Sequence, residues 1–130
     1  MKINPAVAAG AWVTEIPGLP GLRLKVRPAG NVDAQRLYRA HVNGVPRAKR
    51  IQGLDPVDEK AASDEVLIGA ILLDWDGLVD DAEKPIPFSE VMARQLLTEP
   101  EYEAFREGVV WASVYVKDVG QISLKDAVGN

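Results

Sequence analysis

The chain of 130 residues contains no cysteine, one histidine and few aromatic residues, which make up 6% of the sequence. The lack of cysteine excludes disulfide bonds, thiolate zinc sites and cysteine nucleophiles, and it fits a reducing cytoplasm. The longest apolar run, "VLIGAILL", has eight residues, whereas a membrane-spanning helix requires roughly 20. A proline and a tryptophan interrupt "MKINPAVAAGAWV" where the apolar part of a signal peptide would lie. We therefore expect a cytoplasmic protein without a membrane anchor.

The net charge of −4 conceals two regions of opposite sign. Residues 21–50 contain eight basic side chains and one acid, a charge of +7, and the rest of the chain carries −11. Such a distribution is compatible with nucleic acid binding, with head-to-tail self-association, or with compensation inside the fold. Tyr38 is the one aromatic residue of the basic region, so nucleic acid is not the partner that we expect.

Residues 11–27 carry the pattern of a β-hairpin. The segments "AWVTEI" and "LRLKVR" have strand-like composition, and the second alternates apolar and basic residues. The intervening "PGLPG" contains two prolines and two glycines, which favour a turn. Leu22, Leu24 and Val26 are therefore expected to face a core, with the charged side chains in solvent.

Capping residues and helical periodicity predict about four helices between residues 31 and 119. Asparagine, aspartate and serine accept hydrogen bonds at helix starts, and Asn31, Asp55 and Ser89 stand where three of the helices are predicted to begin. The helix after Asp55 is predicted to run through the long apolar segment and to end at about Trp75.

The last helix has two apolar faces and is predicted from Glu99 to about Lys117, before a small, polar and loose tail over residues 120–130. One face comprises Tyr102, Phe105, Val109, Ala112 and Val116, and the other comprises Trp111, Val114 and Tyr115. The predicted fold is a single α+β domain over residues 1–130, mainly α-helical, in which the N-terminal β-hairpin precedes a helical part at 31–119.

The stretch "LLDWDGLVDD" resembles the phosphate-transfer loop of haloacid dehalogenase phosphatases. In that interpretation Asp74 attacks phosphorus, Asp76 handles the proton and Mg²⁺ shields the charge. Leu78 stands where the superfamily usually has threonine, and the rest of the chain predicts helices instead of the repeated strand–helix units that this fold needs. The Mg²⁺-dependent phosphatase is a remote alternative, and otherwise no catalytic, metal or cofactor site is expected.

A longer pattern covers residues 72–114. An apolar segment ends in Trp75, Asp76 and Gly77, a charged turn follows, and "PIPFS", which contains Phe88, leads into a short helix that ends in two leucines before the last helix. This order resembles the tail assembly chaperones of long-tailed bacteriophages. The resemblance implies that these four residues are structural, that Trp75 ends a helix and anchors the turn after it, and that neither aspartate is catalytic.

A tail assembly chaperone is a binding protein and not an enzyme. The resemblance implies that the chain binds the tape measure protein in the cytoplasm of the bacterial host, keeps its apolar surface from aggregating until the tail tube polymerises, and is absent from the mature virion. The tail tube protein and a longer, frameshifted form of the chain are further candidate partners, and a homo-oligomer is a candidate state. A structural tail or connector protein that stays in the virion is the alternative.

The second face of the last helix is the candidate surface for partner binding. Trp111, Val114 and Tyr115 could accept an amphipathic helix of a partner, provided that they are exposed. The sequence leaves another possibility open, because both faces of the helix could be buried within one monomer.

Overall fold

The structure, a computed structural model, describes residues 9–129, with side chains described for residues 9–119. The strands are β1 (Ala11–Val13), β2 (Arg23–Val26) and β3 (Leu72–Asp76). The helices are α1 (Val32–Gly44), α2 (Pro56–Val66), α3 (Glu90–Thr98) and α4 (Glu103–Gly129). Short 3₁₀ turns lie at Arg47–Arg50 and Pro100–Tyr102, and a π-helical turn at Leu67–Ile71 joins α2 to β3. The predicted class, α+β and mainly helical, is confirmed.

An antiparallel sheet in the strand order β1-β2-β3 forms one side of the core. The predicted hairpin accounts for β1 and β2, in which Val13 pairs with Leu24. Leu22, Leu24 and Val26 are buried, as their alternation with charged residues predicts. Leu24 also pairs with Trp75 of β3, so the central strand and its neighbours present apolar side chains to the same core.

The helix that begins after Asp55 ends at Val66, so the prediction that it continues to Trp75 is wrong. Its start is as predicted, because the Asp55 carboxylate accepts a 2.8 Å hydrogen bond from the backbone N–H of Asp58. Beyond Val66 the chain makes one π-helical turn and enters β3 without a loop. A short apolar run is compatible with a buried helix or a buried strand, and periodicity alone does not separate the two.

A β-bulge interrupts the alternation of buried and exposed side chains along β3. Adjacent residues of β2 pair with Leu72 and Asp74, which leaves Leu73 as the extra residue on β3. Leu72 and Trp75 are therefore both buried although they are three residues apart. Because an ordinary strand buries residues two apart, β3 does not show the sequence pattern by which a strand is recognised.

Trp75 joins the sheet to the segment after β3 and to α4. Its ring lies edge-on to Phe88, with ring centroids 4.8 Å apart, and to Phe105 of α4, at 5.9 Å. Its indole N–H donates a 2.7 Å hydrogen bond to the carbonyl oxygen of Ile86. Trp75 therefore anchors the following segment from a strand, whereas the sequence predicts that it does so from a helix end.

The turn after β3 depends on Gly77. Its φ of 89° lies in the region that glycine adopts without strain. A Cβ atom at this position would also overlap the carbonyl oxygen of Gly21. The turn after β3 and the loop before β2 thus approach each other through backbone atoms, and no side chain fits between them.

Helix α4 contributes one face to the core. Four of the five residues predicted for this face are buried in α4: Phe105, Val109, Ala112 and Val116. The fifth, Tyr102, lies in the 3₁₀ turn before α4 and is partly buried against the core, because the helix begins at Glu103 and not at the predicted Glu99. The backbone of α4 continues as a helix to Gly129, whereas the sequence predicts a loose tail for residues 120–130.

Replacing Gly77 with alanine is expected to lower the free energy of unfolding by about 3 kcal/mol, because a positive φ and a backbone overlap act together. Chemical denaturation measures the loss. Gly18→Ala is the matched control, since Gly18 has a φ of 80° but open space around its Cβ position, and it should cost only about 1 kcal/mol. Equal losses for the two variants would show that the contact with Gly21 is unimportant.

Trp75→Phe is expected to lower the free energy of unfolding by about 1–3 kcal/mol, because it removes the hydrogen bond to Ile86 and part of the ring contact with its two aromatic neighbours. Trp12→Phe is the control, since Trp12 is 42% exposed and its loss should stay within about 0.5 kcal/mol. A Trp75→Phe variant as stable as the control would contradict the anchoring role.

Candidate functional site

β3 places Asp74 and Asp76 on the opposite side of the sheet from the buried Trp75. Asp76 forms a 2.7 Å ion pair with Arg23 of β2. The Asp74 carboxylate accepts a 2.8 Å hydrogen bond from the backbone N–H of Trp75. β2 and β3 are antiparallel, so the two aspartates do not extend from a parallel sheet of the kind that the phosphatase alternative requires.

The acidic residues after β3 form a turn. One carboxylate oxygen of Asp80 accepts hydrogen bonds from the backbone N–H groups of Ala82 and Lys84, at 2.8 and 3.0 Å. Among the residues that the structure describes, no group of three or more histidine, aspartate or glutamate side chains is arranged to hold a metal ion. Within residues 9–129, no helix combines the length and the apolar character needed to cross a membrane.

The second apolar face of α4 is exposed. The exposed fraction is 43% for Val110, 38% for Trp111, 44% for Val114 and 48% for Tyr115. The rings of Trp111 and Tyr115 stack, with centroids 5.3 Å apart and an angle of 13° between their planes. The possibility that both faces of the helix are buried within one monomer is therefore wrong. We call these four residues the α4 patch.

The α4 patch borders an apolar cleft of about 400 Å³ between α1, α2 and α4. Val110 and Val114 belong to both the patch and the cleft. The walls that face them include Ala34 of α1, Val66 of α2 and Leu67 of the π-helical turn. Because patch and cleft are continuous, a partner that covers the patch can also insert side chains between the helices.

A network of charged side chains holds α2, α3 and α4 together beside the cleft. Arg106 of α4 pairs with Asp64 of α2 and donates a 2.8 Å hydrogen bond to the carbonyl oxygen of Leu97 in α3. Lys60 donates to the same aspartate at 3.1 Å and to the carbonyl oxygen of Thr98 at 3.0 Å. Since the Arg106 and Asp64 side chains are only 15% and 14% exposed, loss of either would leave a partly buried charge without its partner.

Two further hydrogen bonds position the α1 side of the cleft. The Tyr38 hydroxyl donates to the Glu59 carboxylate at 2.8 Å, and this hydrogen bond raises the pKa of Tyr38 above its ordinary value. The backbone N–H of Ala29 donates to the carbonyl oxygen of Ser113 at 3.0 Å and thereby ties the turn before α1 to α4. Both walls of the cleft are therefore held at a defined spacing.

Trp111, Val114 and Tyr115, the residues predicted to bind a partner, lie side by side in the α4 patch. Val110 was not among the residues predicted from the sequence to bind a partner. Its position one turn before Val114 could have identified it as part of the same face. The α1 and α2 walls of the cleft were missed as well. They are distant from α4 in the sequence and carry no motif, so only the tertiary packing brings them together.

Comparison with known proteins places the chain in a family. The sequence model described as the YdaY prophage protein matches residues 29–130, more than three quarters of the chain. No curated protein and no solved structure matches the chain. The matched range contains α1 to α4, and with them the α4 patch and the cleft, whereas the predicted hairpin at residues 11–27 lies outside it. The chain is thus a phage-related protein and belongs to the YdaY prophage protein family.

Proposed function

We propose that the protein is a phage tail assembly chaperone that binds the tape measure protein and keeps it soluble during tail assembly. The observation that carries this proposal is the exposed α4 patch beside an apolar cleft. The family supports a phage origin. The assignment to tail assembly comes from the resemblance of residues 72–114 to such chaperones.

The shape and composition of the surface suit a helical client. Two successive turns of α4 present the patch, and an amphipathic helix can lay its apolar face along such a surface. The stacked Trp111 and Tyr115 provide a rigid aromatic contact, and these residue types are enriched among the side chains that dominate binding energy. The neighbouring cleft, about 400 Å³ in volume, offers space for apolar side chains of the same helix.

The proposed chaperone acts in the cytoplasm of the bacterial host and is not retained in the mature virion. It requires no cofactor and no catalytic residue. Asp74 and Asp76 serve the sheet and its following turn in this proposal, through the Trp75 N–H and the Arg23 guanidinium. The tail tube protein and a longer form of the chain remain candidate partners at other stages of assembly.

Co-expression with a fragment of the tape measure protein from the same genome tests the proposal. The fragment alone is expected to be insoluble, and with this chain it is expected to stay soluble and co-elute in size-exclusion chromatography. Trp111→Ala and Tyr115→Ala should each weaken binding roughly thirtyfold, about 2 kcal/mol, because each removes an aromatic contact from the centre of the interface.

Trp12→Ala is the matched control for Trp111→Ala, because Trp12 is exposed to a similar extent, 42% against 38%, but lies on β1. It should leave co-elution unchanged. If the fragment precipitates whether or not this chain is present, the chaperone function is refuted. Detection of the chain in purified phage particles would then favour a structural tail or connector protein.

Hydrolysis of p-nitrophenyl phosphate in the presence of Mg²⁺ tests the enzymatic alternative. The rate is expected to equal the uncatalysed background, for the unmodified chain and for Asp74→Asn alike, because Asp74 has no nucleophilic role in the proposed function. A rate above background that Asp74→Asn abolishes would instead establish the phosphatase.

A further inference from the structure

Acidic residues stand at both ends of the α4 patch. Glu107 lies one turn before Trp111, and Asp118 lies one turn after Val114, and both acids are exposed. Eleven positions separate them, which corresponds to about 16 Å along a helix. Among the ion pairs of the described side chains, none involves Glu107 or Asp118. The patch is therefore an apolar surface with a negative charge at each end.

The basic residues of this part of α4 do not cancel the two acids. Arg106 is engaged by Asp64 of α2. Lys117 is exposed and lies one turn after Val114, as Asp118 does. Its position two turns after Val110 puts it on the valine side of the patch, whereas Asp118 lies two turns after Trp111 on the aromatic side. On the aromatic side of the patch, an exposed carboxylate therefore stands at each end.

A second copy of the chain is a poor occupant of this surface. In an antiparallel pairing of two α4 helices that superimposes the two patches, Glu107 of each copy meets Asp118 of the other. In a parallel pairing, each acid meets its own counterpart. Since a two-fold interface brings the same surface of both copies together, each arrangement places like charges opposite each other, which is unfavourable.

We infer that the occupant of the α4 patch is an amphipathic helix that carries two basic residues about three turns apart, one on each side of its apolar residues. Its lysine or arginine side chains pair with Glu107 and Asp118, while the apolar residues between them cover Trp111 and Tyr115 and reach into the cleft. The inference rests on the proposed function, because it assigns this surface to the chaperone's client, and it adds the chemical class of the client segment.

Two synthetic helical peptides of about 18 residues test the inference, each labelled with a fluorophore. Both carry the same apolar face, and they differ only at two positions eleven residues apart, which are lysine in one peptide and glutamate in the other. By fluorescence anisotropy, the lysine peptide is expected to bind about tenfold more tightly, since two attractive pairs replace two repulsive ones. Raising the ionic strength from about 0.05 M to about 0.5 M should reduce the difference.

Reversing the charges of the protein should reverse this preference. Glu107→Lys combined with Asp118→Lys is expected to favour the glutamate peptide. Asp81→Lys combined with Glu83→Lys is the matched control, because these acids are exposed in the turn after β3 and the change in net charge is the same. The control should keep the preference for lysine. Equal binding of both peptides by the unmodified chain, or the same preference in all variants, would overturn the inference.

The results also separate this inference from the proposed function. If the tape measure fragment becomes soluble but both peptides bind equally, the inference fails and the chaperone stands. If the lysine peptide is preferred but the fragment precipitates, the surface binds basic amphipathic helices and the chaperone function fails. A dimer in size-exclusion chromatography with light scattering that Trp111→Ala dissociates would identify a second copy as the occupant and overturn the inference.

Discussion

The burial of Trp75 beneath the sheet is the contact on which the other elements depend. From β3 its ring reaches Phe88 in the segment after the strand and Phe105 at the start of α4. Because the ring is shielded from water, its N–H must be paired within the protein, and the carbonyl oxygen of Ile86 accepts it. Strand, connecting segment and last helix therefore meet at a single side chain, which determines where α4 crosses the core.

The exposure of the α4 patch follows from the way the opposite face is packed. Phe105 directs one face of α4 into the core, and Gly108 lets the helix approach so closely that a Cβ atom would overlap the side chain of Leu19. A helix with 3.6 residues per turn cannot turn both of its apolar faces towards the same core. The row of Val110 and Val114 consequently lies at the rim of the cleft, and the aromatic pair beside it faces solvent.

The structure could be predicted from the sequence wherever a single local interaction determines the conformation of the backbone. Asn31 and Ser89 accept backbone hydrogen bonds at the starts of α1 and α3, as their residue types predict. The alternation of β2 and the buried face of α4 were likewise readable from spacing. β3 could not be predicted in this way, because the bulge at Leu73 interrupts the alternation of buried and exposed residues. The apolar run before β3 is also compatible with a helix. The cleft depends on α1, α2 and α4 packing together, and no local pattern encodes that arrangement.

Part of the basic region compensates acids of the same chain, since three of its eight basic residues form ion pairs with described side chains. Arg23 pairs with Asp76, and Arg27 pairs with Asp33, where the hydrogen-bonded guanidinium lowers the pKa of the Asp33 carboxyl. Internal compensation of this kind accounts for part of the charge asymmetry without a nucleic acid partner. The excess of acids lies outside this region, where the charge is −11 against +7 within it. An exposed apolar surface favours association between copies, and like charge on each copy opposes it. Charge and exposed apolar area therefore act against each other, which leaves the surface accessible to a partner of opposite charge.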